Sequence, residues 1–358
     1  MPIPEQRDKE QSRKQLAAWL VDPLEADGVV ELSEFRGPGG TGFSNETLIV
    51  DATWSSAGAA RQQTFVVRVA PTGYTLFPDP AFEVQQQVLQ ALTDRSGIPV
   101  PQVLFHESDP SVLGAPFFVM AEVVGVVPSD NPPYHVGGWL HEVAPEHRAR
   151  VWWGAVDTIA ELHALDWQTL GLDFLQVDGA GLPHLMAYYE DFLESVEQTE
   201  QVPVAREALA WLKANLPDEQ PLVLSWGDAR IGNVIYDDAG NRLAVLDWEM
   251  VALGAPDMDV AWAWFLDRHH SEGCDVPRLD GFPSKQETID RYQERSGIRL
   301  TQLDFYEVFA GFRFCVIMAR LAVIFKDWGL LAADDAMAQD NTVTRLTRTV
   351  LAERGAGC

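Results

Sequence analysis

Apolar and polar positions along the chain change period several times, and each change predicts an element. An amphipathic helix is expected over about residues 7–21, followed by three β-rich runs, GVVELSEF, NETLIVDATW and QQTFVVRVA. The turn-rich strings RGPGGTGFS and SSAGAAR separate these runs, which predicts an antiparallel meander. Helical spacing returns in AFEVQQQVLQALTDR, so a helix is expected over about residues 80–95, with Asp79 as its N-cap, Pro80 at its first position and an end near Ser96-Gly97. Two more strands follow, PQVLFHES and PFFVMAEV, the second so uniformly apolar that both its faces should be buried.

From Gly125 onward the pattern is different. Pro128, Pro132, Pro133, Gly137 and Gly138 mark a loop, and the helical strings PEHRARVWWGAVDTIAELHAL and PVAREALAWLKANL come after it. A boundary near residue 123 therefore divides the chain into an N-terminal lobe, 1–123, and a mostly helical C-terminal lobe, 124–358. One β island interrupts the helices: PLVLSWGD, then NVIYD and RLAVLDWE joined across Asp238-Ala239-Gly240-Asn241. Helical pattern resumes at Pro256, with breaks at Pro283-Ser284 and Gly297, and no internal repeat is visible. The expected class is α+β.

Composition narrows the function. The 358 residues carry 26 Lys+Arg against 53 Asp+Glu, a net charge of −27, so a basic nucleic-acid footprint is not expected. At 47% hydrophobic the chain can build cores, and its length exceeds what one domain of roughly 100–200 residues uses. The acidity would attract cations, and it is equally what a salty cytoplasm selects. Cys274, Cys315 and Cys358 are far apart and lack C-x-x-C spacing, which points to a reducing compartment. The charged N-terminus lacks the apolar core of a signal peptide. GFRFCVIMARLAVIF is interrupted by Arg313 and Arg320, so it reads as a buried helix rather than a membrane span. A cytoplasmic protein with no membrane partner is expected; the sequence assigns no oligomeric state.

Two strings could carry chemistry. Gly37-Pro-Gly39-Gly40-Thr-Gly42 satisfies G-x-G-x-x-G, yet the following SNETLIVDATW reads as a strand, whereas a dinucleotide-binding fold needs a helix there. A glycine-rich turn between antiparallel strands is instead what kinases lay over nucleotide phosphates, and an ordinary loop is the alternative. Gly39, Gly40 and Gly42, with Ser44 and Asn45 after them, are the nucleotide-covering candidates. The second string, Ser225-Trp226-Gly227-Asp228-Ala229-Arg230-Ile231-Gly232-Asn233, precedes Asp247-Trp248-Glu249 by fourteen residues. Phosphoryl transfer needs an acceptor for the alcohol proton, hard oxygen ligands for Mg²⁺ and cations over the phosphates. Asp228, Asn233 and Asp247 meet the first two needs and Arg230 part of the third. Turn formation and strand-end capping are the plainer alternative.

These residues resemble the aminoglycoside phosphotransferase and choline kinase-like family of small-molecule kinases, whose fold is related to that of protein kinases. The family pattern is H-G-D-x4-N, then I/L-D-x-E, then G-D-P-x2-D. This chain has W-G-D-A-R-I-G-N at 226–233, L-D-W-E at 246–249 and G-A-P-D-M-D at 254–259, with Trp226 in the His position and Ala255 for the first acidic residue of the last motif. WGDARIGN is most similar to an actinobacterial branch that carries the aminoglycoside phosphotransferase or acyl-CoA-dehydrogenase-associated kinase label.

The resemblance implies a protein-kinase-like, two-lobed fold with ATP, rather than GTP, and Mg²⁺ as cofactors. It implies Asp228 as catalytic base, Asn233 and Asp247 as metal ligands, and Glu249 as a carboxylate behind the metal or for a second one. Asp259 would cap the free N–H groups of the helix it opens. In the N-terminal lobe VVRVA aligns with the strand that normally carries a nucleotide-binding Lys, so Arg68 would meet the phosphates and pair with Glu83. FFVMAEVVG aligns with the hinge, where the backbone of Glu122 and Val123 would hold adenine.

Other residues read as structural. His163 is expected to pack in its helix, and His269-His270, beside Glu272 and Asp275, to lie in a solvated loop. Trp152, Trp153, Trp211, Trp262 and Trp264 are expected to be mostly core, with one or two lining an acceptor pocket. The functional expectation is transfer of the γ-phosphoryl of ATP to a hydroxyl of a small molecule, either an aminoglycoside-like cation or a hydroxylated metabolite. The rival is a pseudokinase that binds nucleotide without turnover.

Overall fold

Strand alternation around residues 46–69 closes into one long hairpin, the centre of the first of two compact units into which the chain divides, Met1–Thr93 with Pro101–Val123 and Asp94–Val100 with Val124–Cys358. The structure, a computed structural model, describes residues 7–37, 45–176 and 179–355.

The first unit begins with α1 (Lys9–Trp19), whose N-cap Asp8 accepts from the Gln11 N–H, and β1 (Glu31–Leu32). The hairpin strands β2 (Glu46–Ser56) and β3 (Ala59–Val69) follow, then α2 (Phe82–Arg95), β4 (Val103–Glu107) and β5 (Phe117–Ala121). The sheet order is β1-β2-β3-β5-β4, antiparallel throughout. The hairpin turns at Ala57-Gly58, where both φ angles are positive and Asp27 accepts the two N–H groups. Leu48, Val50, Ala52, Phe65, Val67 and Val69 alternate onto the face that packs with Leu16 of α1 and its C-cap Leu20. Between β3 and β5 the register pairs Val67 with Val119 and Arg68 with Phe118. Phe117 and Val119 join the α1 side, while Phe118 turns the other way to meet Phe82 of α2, with ring centroids 5.2 Å apart. Coverage on both faces is why β5 carries no polar residue.

The expected start of α2 needs correction. Asp79 does not cap the helix: its Oδ1 accepts the Ala81 N–H in a local turn, Ala81 takes φ 45°, and the helix begins at Phe82.

The second unit is helical around two small two-stranded sheets. In order it contains α3 (Trp139–Glu142), α4 (Pro145–His163), α5 (Gly181–Val196), α6 (Pro203–Ala214), β6 (Val223–Ser225), β7 (Val234–Tyr236), β8 (Arg242–Val245), β9 (Ala252–Gly254), α7 (Pro256–His270), α8 (Lys285–Ser296), α9 (Leu303–Asp327) and α10 (Thr342–Glu353). β7 pairs with β8 as expected, and β6 pairs with β9, a three-residue strand too short to show in the sequence pattern. By length and composition α9 could cross a membrane, but 67% of its most apolar stretch is buried, with α5, α6, α7 and α10 packed around it. The pair His269-His270 does not lie in a solvated loop. It ends α7, and His270 is buried beside Tyr134.

Candidate functional site

The loop after β6 is shaped from beneath by one carboxylate. Asp259 is fully buried and accepts hydrogen bonds from Ser225 Oγ (2.7 Å), the Trp226 N–H (2.7 Å) and the Gly227 N–H (3.0 Å), with His163 Nε2 at 3.1 Å. Burial opposes its charge, but these hydrogen bonds prevail and hold its carboxyl below the usual carboxylate range. Asp259 therefore does not cap its own helix; it ties the turn Ser225-Trp226-Gly227 to α7. Gly227 adopts φ 88°, and a Cβ there would collide with the Met250 carbonyl, so only glycine fits. His163 is packed as expected, with its Nδ1 2.8 Å from the Tyr292 hydroxyl.

Asp228 follows this turn with its carboxylate engaged on both oxygens. Oδ2 accepts from Asn233 Nδ2 (2.6 Å) and Arg230 Nε (3.2 Å), and Oδ1 accepts from the Trp262 indole (2.7 Å). Trp262 is buried, as expected of this group of tryptophans, but its hydrogen bond to Asp228 is not foreseen from the sequence. Its only sequence signal is the spacing to Asp259, three residues earlier on the same helix face.

Asn233 and Asp247 are held side by side by backbone. The Leu246 N–H donates to the Asn233 carbonyl at 2.8 Å, and the Trp226 indole donates to the Leu246 carbonyl at 2.8 Å. Trp226 thus braces the segment that precedes Asp247, and because its partner is a carbonyl a donor-only indole suffices. Asp247 itself has φ 59°, a backbone conformation that is costly for a side chain and concentrated at functional sites. Asn233 spends its amide N–H groups on Asp228, which leaves Oδ1 as its oxygen for a cation. Among the described residues no group of three or more His, Cys, Asp or Glu side chains is placed to hold a metal ion together, so Glu249 does not complete such a set with Asp228 and Asp247. Two oxygen donors nonetheless fit Mg²⁺, which keeps waters and substrate phosphates in its other positions.

Arg230 spans Asp228 and Asp130, with Nη1 2.7 and 2.8 Å from the two Asp130 oxygens. His270 Nε2 lies 3.7 Å from Asp130. Burial lowers His269 to about 4 and His270 well below its ordinary value, so both imidazoles are neutral near pH 7.

In the first unit, Gly39, Gly40, Gly42 and Ser44 lie outside the described residues. Asn45 is buried, with Nδ2 3.5 Å from Gln85 Oε1. The expected Arg68–Glu83 pair is not made. Arg68 Nη2 donates to Gln85 Oε1 at 3.4 Å, while Glu83 pairs with His106 at 3.0 Å. Residues 83 and 85 are about 200° apart on a helix, so α2 can turn only one of them to Arg68, and that one is Gln85. The Glu122 N–H is directed to the Thr64 carbonyl at 3.4 Å; among the described residues the Glu122 carbonyl and the Val123 N–H make no backbone hydrogen bond.

Comparison with known proteins identifies the family and the fold. The sequence matches the APH model, the phosphotransferase enzyme family, over residues 40–294. Acyl-CoA dehydrogenase family member 11 of Rattus norvegicus is 29% identical over 361 residues, which cover 94% of this chain and 42% of that protein. The chain spans between 24% and 42% of the length of the curated relatives it matches. A Ralstonia eutropha protein assigned to the aminoglycoside phosphotransferases superposes with a TM-score of 0.69 at 24% identity, covering 94% of this chain and 98% of that one. An aminoglycoside phosphotransferase in ternary complex with ADP and hygromycin B superposes with a TM-score of 0.58 at 13% identity, covering 96% and 100%. These likenesses establish the α+β fold as kinase-like.

Proposed function

The chain belongs to the phosphotransferase enzyme family, and from that premise we propose that it transfers the γ-phosphoryl of ATP to a hydroxyl of a small molecule. The observation that carries this reading is the joint placement of Asp228, Asn233 and Asp247: the Asp228 carboxylate accepts from the Asn233 side-chain amide, and the Asn233 backbone carbonyl accepts from the N–H of Leu246, the residue before Asp247. Asp228 accepts the hydroxyl proton as the oxygen attacks phosphorus. Asn233 and Asp247 would hold Mg²⁺, which when bound neutralises charge on the phosphate oxygens. Arg230, beside the base, would supply a cation for the phosphates; within the first unit Arg68 faces a neutral Gln85 and, among the described residues, no carboxylate at ion-pair distance, which suits an anion.

The acceptor is an aminoglycoside-like cation or a hydroxylated metabolite, hydroxyacyl thioesters included. The test is ADP release from Mg²⁺-ATP across aminoglycosides, macrolides, choline-like amines and hydroxyacyl-CoA, for the wild type and Asp228→Asn. Acceptor-stimulated release that falls roughly 10²–10⁴-fold in the variant is expected. ATP binding with no release for any acceptor would favour the pseudokinase reading instead.

A further inference from the structure

The two oxygens of the Asp228 carboxylate are not equivalent. Oδ2 accepts two hydrogen bonds, from Asn233 and Arg230, whereas among the described residues Oδ1 accepts one, from the Trp262 indole. Each carboxylate oxygen offers about two acceptor directions, so Oδ2 is filled and Oδ1 keeps one. We propose that Trp262 is a positioning residue that fixes the Asp228 carboxylate so that Oδ1, with its remaining lone pair, receives the proton of the acceptor hydroxyl. The proposal rests on the phosphotransferase reading above. In the transfer the hydroxyl O–H bond breaks and its proton goes to Oδ1. The hydroxyl oxygen forms the new O–P bond, and the bond from the γ-phosphorus to the bridging oxygen breaks with its electron pair left on ADP.

Trp262 is itself fixed. It is 2% exposed, and the Arg313 guanidinium lies over its ring at 4.6 Å from the centroid. Arg313 is equally buried, also lies over Tyr189 and Phe309, and donates Nη2 to the Gly227 carbonyl at 3.2 Å. Among the described residues Arg313 has no carboxylate at ion-pair distance. One buried cation therefore holds both the indole plane and the residue that precedes the base. Asp259 and Trp262 stand three residues apart on α7, so the helix face that gathers the Trp226 and Gly227 N–H groups also delivers the indole to Asp228.

The experiment uses the full chain with Mg²⁺-ATP and water as acceptor, together with ¹H–¹⁵N spectra of the indole N–H groups. Trp262→Phe keeps a ring for Arg313 and removes the donor. It should lower kcat for ADP formation roughly 10- to 100-fold, the range for losing a hydrogen bond to a charged group, with KM for ATP within about twofold. Added to Asp228→Asn, the same substitution should lower kcat no further. In wild-type protein the Trp262 indole proton should resonate at low field and move upfield in Asp228→Ala, a readout that does not require Trp262→Phe to be active. A wild-type rate in Trp262→Phe, or an indole resonance unmoved by Asp228→Ala, overturns the positioning role. Equal turnover by wild type and Asp228→Asn overturns the proton-accepting role of Oδ1, and no ADP formation by either overturns the phosphotransferase reading, while the indole shift still reports the hydrogen bond.

Discussion

The indole N–H of Trp226 donates to the carbonyl of Leu246 at 2.8 Å, and so joins the residue two before Asp228 to the residue immediately before Asp247. Both rings of the Trp226–Trp248 pair are buried, with centroids 6.1 Å apart, so the brace is packed as well as hydrogen-bonded.

Trp226→Phe keeps most of the packing and strands the Leu246 carbonyl. A loss of roughly 1–3 kcal/mol in unfolding free energy is expected, measured by urea titration, together with weaker enhancement of ATP binding by Mg²⁺. Unchanged metal dependence would show that the brace does not set the position of Asp247.

Asp247→Ala should abolish the Mg²⁺ enhancement of ATP binding and Asn233→Ala should reduce it, since a hard cation shared with phosphates draws oxygen donors from both. Calorimetry with and without Mg²⁺ decides this. Equal enhancement in both variants would remove the two residues from the metal site.

Arg230 is tied at once to Asp228 and to Asp130. If its guanidinium also serves the transferred phosphoryl group, Arg230→Ala should lower turnover with ATP affinity and folding little changed, and Arg230→Lys should restore part of the rate. A normal rate in the Ala variant would leave Arg230 a purely structural tie between the two carboxylates.

His269 has its folded value lowered from 6.5 to about 4 by burial, so between these limits the unfolded chain binds more protons. Stability is full above about pH 6.5 and declines as pH falls toward 4; His270, shifted in the same direction, adds to the decline. The carboxyls of Asp259 and Asp267, both held below 3.8, lose their contribution only at lower pH. His269→Phe, beside the Phe314 ring, should flatten the dependence of urea-unfolding free energy between pH 6.5 and 4. A slope equal to wild type would mean that His269 titrates normally.

Local pattern determined the elements and the principal loop of this protein. Alternation in LIVDATW and FVVRV marks one buried strand face, and that mark survives any tertiary context because a pleated strand alternates sides by geometry. The spacing of Asp228, Asn233 and Asp247 was legible for a similar reason: a five-residue step within one loop and a hairpin return leave little freedom in where the residues end up. What the tertiary structure alone decided is how helices are rotated about their axes and what they present. Whether Glu83 or Gln85 reaches Arg68 depends on the rotation of α2 about its axis, which packing such as Phe82 on Phe118 settles rather than helix propensity. Whether Trp262 is filler or a partner of Asp228 depends on Asp259, one turn away on α7, being pulled under the loop by N–H groups 32 and 33 residues distant. Contacts of that range carry no period in the sequence; they exist because buried N–H groups and a buried carboxylate must satisfy one another, and the loop and the helix come together to let them.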